Sequence, residues 1–311
     1  MFSAPRRPAT LAAALAVPLL ALAGCSSAPG DDAAVQVLAS FYPLQMVAEQ
    51  VGGDRVEVRS LTPPGAEPHD VELSPAQVAA LGTAQLVVHQ SGFQAAVDDA
   101  IAQTRPEHVV DAAAQADLAS ADTHDEDEHD EGAEDDHDHD GLDPHFWLDP
   151  TRLPAVADAV ADALTEIDPA GADTYRANAE ELGTRLAELD ADYTAGLATC
   201  ERRVVVTSHE AFGYLAHRYD LEQVGISGID PETEPSPARL REVGALVADE
   251  GVTTIFFETL VSPKVAQTLA ADLGVTTAVL DPIEGLTDDS QDYFSIAAAN
   301  LEALRVALSC S

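Results

Sequence analysis

Positive charge is what this chain has least of. Its 311 residues carry 15 Lys and Arg against 55 Asp and Glu, a formal net charge of −40. Nucleic acid is therefore excluded as a partner, because binding it needs a basic footprint. A cationic ligand suits the field. Nowhere does the chain read G-x-x-x-x-G-K-[ST], so it carries no phosphate loop for ATP hydrolysis. His209-Glu210 matches the first two residues of a zinc-protease helix, but position 213 is glycine, and the second histidine of that motif is missing. Cysteines number three, at 25, 200 and 310. Aromatics are sparse at 5%, yet 46% of residues are hydrophobic, enough for two lobes with cores of their own.

The longest apolar run, Thr10–Ala23, follows Arg6 and Arg7 and is too short to span a bilayer comfortably. It ends in Leu22-Ala-Gly-Cys25, which resembles a bacterial lipoprotein cleavage box. Residues 1–24 then read as a lipoprotein signal peptide, with Cys25 acylated and 25–34 a tether to membrane lipid. Outside the cytoplasm the remaining cysteines, Cys200 and Cys310, are expected to pair.

One segment departs from globular composition. Asp122–Asp140 packs twelve carboxylates and four histidines (His124, His129, His137, His139) into 19 residues with nothing apolar larger than alanine. Such a stretch cannot bury a core. Its donors suit zinc and similar divalent ions, so it reads as an auxiliary metal loop within 119–141. Without it the balance is still −28, from 43 acids and 15 bases.

Elsewhere strand and helix patterns alternate. Strands are expected at Val35–Ala39, Val56–Ser60, Leu86–His89 and His108–Val110, with helices between them. After a helix over Pro154–Ile167 comes the longest candidate, Ala172–Ala198. There Tyr175, Ala179, Leu182, Leu186, Leu189, Tyr193 and Leu197 recur on one face. The alternation restarts with strands near Arg203–Thr207, Leu221–Ile226, Thr253–Phe257 and Val275–Leu280. This predicts an α/β protein with two parallel-sheet lobes, 35–170 and 201–311, joined by a rigid helix over 171–200. Ligands of such sheets collect at strand carboxyl ends and between lobes.

Four potential metal ligands fall in turns or at strand ends: His69 in P-P-G-A-E-P-H-D, His145 in D-P-H-F-W-L-D-P, His209 in V-V-V-T-S-H-E-A-F and Asp281 in V-L-D-P. Taken singly, each histidine also reads as a capped turn residue; taken together, three imidazoles and a carboxylate would complete a tetrahedral zinc set. Glu258, in F-F-E-T-L, reads either as a carboxylate that orients a ligand histidine or as a solvated acid. Trp147 reads as a core or cleft-wall residue. His89, His108 and His217 lack a ligand context.

The words S-F-Y-P-L, G-G-D-R-V-E-V, P-P-G-A-E-P-H-D, D-P-H-F-W-L-D-P, T-S-H-E-A-F-G-Y-L and V-L-D-P-I-E-G-L occur in that order. Together they resemble the metal-binding lipoproteins of zinc and manganese ABC importers, the ZnuA/TroA-like cluster A-I solute-binding proteins. The resemblance runs from about Val35 to Ser311. It implies a metal site between the lobes, with His69, His145 and His209 as main ligands and Asp281 as the fourth. It also implies Zn²⁺ as the transported ligand, a permease with a separate ATPase as partner, and a monomer on the outer face of the cell membrane. Where manganese carriers of the family often have glutamate, this chain has His209, and three imidazoles favour zinc over harder ions. Val71 stands where the family usually has tyrosine. The rival readings are a manganese or iron carrier, a zinc hydrolase, and an adhesin.

The Cys25→Ala chain, expressed with its leader, is expected to leave the membrane fraction. Its persistence as a lipid-labelled species in metabolic labelling would refute the lipoprotein reading.

Overall fold

A computed structural model describes Met1, 34–118 and 142–311, and the compact unit runs from Ala34 to Ser311. The leader, Cys25 and the acidic tract with its four histidines lie outside the described residues.

The first lobe is a run of β-α-β units. β1 (Val35–Ala39), α1 (Tyr42–Gly52), β2 (Val56–Ser60), α2 (Pro75–Leu81), β3 (Leu86–His89), α3 (Ala95–Thr104), β4 (Val109–Asp111) and the short α4 (Ala112–Ala116) follow in order. The strands form one parallel sheet in the order β2-β1-β3-β4, with Val37 paired to Val58 on one side and to Leu86 on the other. β3 is buried along its whole length, as expected of a central parallel strand covered on both faces. Ser74 starts α2 by accepting from Gln77 N while the Gln77 side chain bonds back to Ser74 N, a reciprocal cap that sets the end of the preceding loop.

α5 (Leu153–Ile167) leads through a short 3₁₀ turn into α6 (Ala172–Leu197). At 1.5 Å per residue, α6's 26 residues extend about 39 Å. Its buried residues are the seven whose spacing marked that face in the sequence. It packs along α1 and α5 on one side of the molecule and along α10 (Tyr293–Leu308) on the other.

The second lobe repeats the first lobe's topology without its sequence. β5 (Val204–Thr207), α7 (Gly213–Arg218), β6 (Glu222–Gly225), α8 (Pro237–Asp249), β7 (Thr254–Phe257), α9 (Lys264–Leu273) and β8 (Thr276–Val279) precede α10, and the parallel order is β6-β5-β7-β8. Strand and helix ends agree with the sequence pattern to within one or two residues. α4 and the 3₁₀ turn at Phe146–Leu148 carried no periodic signal, because each is shorter than two helical turns.

One apolar core runs through both lobes. It takes in Phe41, Trp147 and Val160 of the first, the buried face of α6, and Tyr214, Phe256 and Leu304 of the second. Smaller cores lie on the outer face of each sheet, around Leu81 and Val97 in one and around Val206 and Ile255 in the other. Hydrogen bonds cross between the lobes inside the shared core. Trp147 Nε1 donates to Pro282 O at 2.7 Å, Tyr293 Oη to Trp147 O at 2.6 Å, Tyr214 Oη to Asp143 O at 2.9 Å, and Tyr293 N to Tyr42 Oη at 2.9 Å. Lobes that share a packed, hydrogen-bonded core resist wide hinge opening.

Cys200 and Cys310 form a disulfide across 110 residues. It fastens the C-terminal residues beside the start of the second lobe, where the same two residues form an isolated β-bridge. In the chain-entropy model a loop of that length contributes about 4–5 kcal/mol. The Cys200→Ser, Cys310→Ser double variant should therefore unfold at lower temperature than the oxidised chain. An unchanged midpoint in thermal unfolding would show that the bridge adds nothing.

Candidate metal centre between the lobes

Four side chains converge where the carboxyl ends of the two sheets face each other. His69, His145 and His209 are joined by Glu284, with one donor atom from each lying within 4.8 Å of all the others. Glu284 Oε1 is 3.5 Å from His69 Nε2, 3.2 Å from His145 Nε2 and 3.7 Å from His209 Nε2, and the first two nitrogens are 3.3 Å apart. Donors about 2.0–2.1 Å from one tetrahedral Zn²⁺ would be separated by about 3.3–3.4 Å. The observed spacing is close to that.

Each donor comes from a separately anchored loop. His69 lies between β2 and α2, in a turn that Gly65 makes with φ +73. Gln94 Nε2 holds that loop by donating to Pro68 O and Thr62 Oγ1, both at 3.0 Å. Phe93 stands edge-on against the His69 ring, with 4.7 Å between centroids. His145 precedes the Phe146–Leu148 turn, and Gln90 Nε2 fixes the neighbouring Pro144 O at 2.8 Å. His209 follows β5 by two residues, and its carbonyl accepts from Thr207 Oγ1 at 2.6 Å and Gln223 Nε2 at 3.1 Å.

Two ligand-candidate imidazoles are aimed by carboxylates. Asp143 Oδ1 lies 2.8 Å from His145 Nδ1 and accepts from His145 N. Glu258 Oε1 lies 2.7 Å from His209 Nδ1 and accepts from Ser208 Oγ. A carboxylate can only accept there, so each Nδ1 carries a proton and each Nε2 faces the cluster. Glu258 is buried against the His209 ring and is not a solvated acid.

Asp281 is not in the cluster. Its Oδ2 accepts from Thr259 Oγ1 and its Oδ1 from Ile283 N, both at 2.8 Å, while the Asn300 side chain clamps its backbone N and O. The fourth position anticipated for Asp281 is taken by Glu284. Asp281 stands two residues past the end of β8 and is spent on capping a turn. The turn then carries the chain back to the cleft three residues later. That turn holds Ile283 at φ +59, a strained conformation for a β-branched residue, and Trp147 secures Pro282 O from the opposite lobe. The word V-L-D-P-I-E-G-L contained both acids; only the turn geometry selects between them.

Of the other histidines, His89 is buried with Nδ1 3.3 Å from Asp98 Oδ1, and His108 lies 3.9 Å from Glu166. Neither reaches the cluster, nor does His217 near the end of α7. Trp147 is fully buried beside His145. Glu210, next to the ligand candidate, turns away to Arg239 at 3.3 Å.

The electrostatics are those of a cation site. Both Glu284 oxygens and His209 Nε2 are buried without a hydrogen-bond partner. Burial alone would raise the Glu284 carboxyl, but the three imidazoles hold it well below the usual carboxylate range. Burial alone would lower His209, yet Glu258 and Glu284 outweigh it and push the imidazole up to about 10. His145 is likewise raised, its desolvation overcome by Asp143 and Glu284. Glu67, two residues before His69, is pushed up to about 8 by burial and then by the nearby Glu284 charge. Asp281 is raised by burial.

Two doubly wound lobes and a buried site of three imidazoles and one carboxylate between them define a two-lobed binding protein with donors for a divalent metal. The family model described as "Zinc-uptake complex component A periplasmic" matches residues 37–307, and the chain belongs to that family. It is 36% identical over 287 residues to the zinc-binding protein AdcA of Streptococcus pyogenes serotype M6, covering 88% of this chain. It spans only 56% of that relative's length. The high-affinity zinc uptake system protein ZnuA of Bacillus subtilis is 34% identical over 290 residues, covering 92% of this chain and 90% of its own. Among solved structures, the Zn(II)-bound ZnuA-like domain of Streptococcus pneumoniae AdcA superposes with TM-score 0.72 at 31% identity, covering 88% of this chain and 99% of that one.

Changing the group that orients a metal ligand typically costs about 10–100-fold in affinity. Glu284→Gln should cost at least that much in zinc affinity, whereas Asp281→Asn should stay within a few-fold. Competition titration with a zinc chelator measures both, and the reverse ranking would restore Asp281 as the ligand.

Proposed function

We propose that this chain is the extracytoplasmic Zn²⁺-binding component of an ABC-type importer, held at the outer face of the cell membrane through acylated Cys25. It captures zinc with His69, His145, His209 and Glu284 and passes it to a membrane permease driven by a separate ATPase. The observation that carries this reading is the spacing of the four donors, 3.2–3.7 Å around Glu284, in a buried pocket between two lobes. The zinc-binding names of its relatives support the same cargo. The ion is cargo and not a catalytic cofactor. A zinc hydrolase keeps one coordination position open for water, whereas four protein donors fill a tetrahedral shell here.

The donor set favours zinc over manganese. Imidazole suits zinc, while harder ions prefer oxygen and more of it. The shared core and cross-lobe hydrogen bonds favour release by movement of a ligand loop over a wide hinge.

Capture competes with protons. His209 and His145 hold their protons above the ordinary imidazole range while the metal is absent. Coordination requires both Nε2 atoms free, so each bound ion expels protons and affinity rises with pH. Below pH 10, where His209 is protonated, zinc affinity should strengthen about tenfold per pH unit for each proton displaced. Isothermal titration between pH 5.5 and 7.5 in buffers of different ionisation enthalpy gives both the slope and the proton count. A flat profile, or purified protein that carries manganese in preference to zinc, would sink the proposal.

A further inference from the structure

The metal cluster is not equally closed on every side. The side chains of His145 and Glu284 are 0% exposed and that of His209 is 1%, but that of His69 is 10% exposed. Glu67 stands beside His69 at this more open edge, itself 12% exposed. It belongs to the same Pro/Gly-rich turn and is anchored to it, because Oε1 accepts from His69 N at 3.0 Å. Oε1 lies 4.0 Å from His69 Nε2, outside the four-donor set. Oε2 is buried and has no hydrogen-bond partner.

An unpaired buried carboxylate oxygen is costly unless it takes a proton or something cationic visits it. The arrangement gives Glu67 one oxygen for holding the loop and one for a ligand. Glu67 Oε1 is 4.0 Å from His69 Nε2, wider than the 3.2–3.7 Å by which Glu284 Oε1 stands from the three imidazoles. It also stands beside the most exposed of the four donors, since the other three are closed off by protein.

We propose that Glu67 is the exchange ligand of the site, a fifth donor that holds the divalent cation while one of the four resident donors lets go. The proposal rests on the reading of His69, His145, His209 and Glu284 as the zinc site. Zinc passes through five-coordinate states readily. A Glu67–zinc bond forms as the bond to His69 breaks, and the sequence runs backwards on capture. No electrons move, and the ion never becomes three-coordinate. Loss of the bond to His69 leaves the ion on Glu67 at the open edge, where a chelating partner can take it.

The test separates rate from equilibrium. Glu67→Gln keeps an oxygen that accepts from His69 N but removes the anionic donor. In stopped-flow experiments with Zn²⁺ and an excess of a small chelator, the variant should capture and release zinc about tenfold more slowly, the cost of about 1.4 kcal/mol in the exchange barrier. Its equilibrium Kd should stay within about threefold, since Glu67 is absent from the resting shell. The visible spectrum of the Co²⁺-substituted protein should match that of the unaltered chain, and Glu67→Asp should recover part of the lost rate. Unchanged rates overturn the proposal. So does a Kd weakened more than tenfold or an altered Co²⁺ spectrum, because Glu67 would then be a resident ligand or a structural support. If the unaltered chain fails to bind one Zn²⁺, the site reading itself falls, an outcome distinct from any of these.

Discussion

The structure depends on one buried charge. The Glu284 carboxylate is closed off from solvent in the middle of the protein, and three imidazoles face its Oε1 at 3.2–3.7 Å. An ionised carboxylate in such a place is tolerated only if it is paired. Protons on the imidazoles do this in the empty protein, and a divalent cation would do it better. A dication meets all four donors at once, whereas a proton sits on one nitrogen. The Asp281 turn, the strained backbone at Ile283 and the Trp147 bond to Pro282 O all serve to hold that carboxylate in position. The strain at Ile283 is a cost borne for placing the residue after it.

The two sheets explain why such a site forms between lobes. Both have the strand order 2-1-3-4, and in each the chain turns from one side of the first strand to the other. Loops leaving the strand ends diverge at that switch and leave a crevice. Set face to face, the two crevices supply His69 and His145 from one lobe and His209 and Glu284 from the other. α6 and the shared core then fix the lobes' spacing. A shift in that spacing would alter every distance in the cluster, so the packing that stabilises the protein is also what sets the donor geometry.

Much of this was legible in the sequence, for definable reasons. The strands are short β-branched runs between turn residues, and the buried face of α6 repeats at helical spacing over seven residues, so period alone located them. The three histidines that converge here sit in turns, a context that fits a capped turn residue as well as a ligand, and only the ordered words around them set them apart. Glu284 was not legible, because Asp281 occupies the equivalent strand-end position. Whether an acid there binds a metal or caps the next turn depends on a backbone conformation that no local propensity favours. Asp143 was overlooked for a related reason: it reads as the start of D-P-H-F-W. Its role behind His145 depends on the turn folding the carboxylate back onto the ring two residues later.

The carboxylates behind the histidines make proton competition unavoidable. Asp143 and Glu258 make His145 and His209 more basic, and a more basic imidazole binds metal and proton alike. Basicity alone therefore cannot favour zinc over the proton. The distinction has to come from geometry. Protons sit one to a nitrogen, each held by its own pair of carboxylates, His145 by Asp143 and Glu284 and His209 by Glu258 and Glu284. One Zn²⁺ brings the charge of two protons to a single point that Glu284 and three nitrogens can share. The fixed 3.2–3.7 Å spacing rewards that arrangement and gives protons no equivalent gain. Rigidity is thus the source of selectivity here, and the donors' chemistry decides which metals can profit from it.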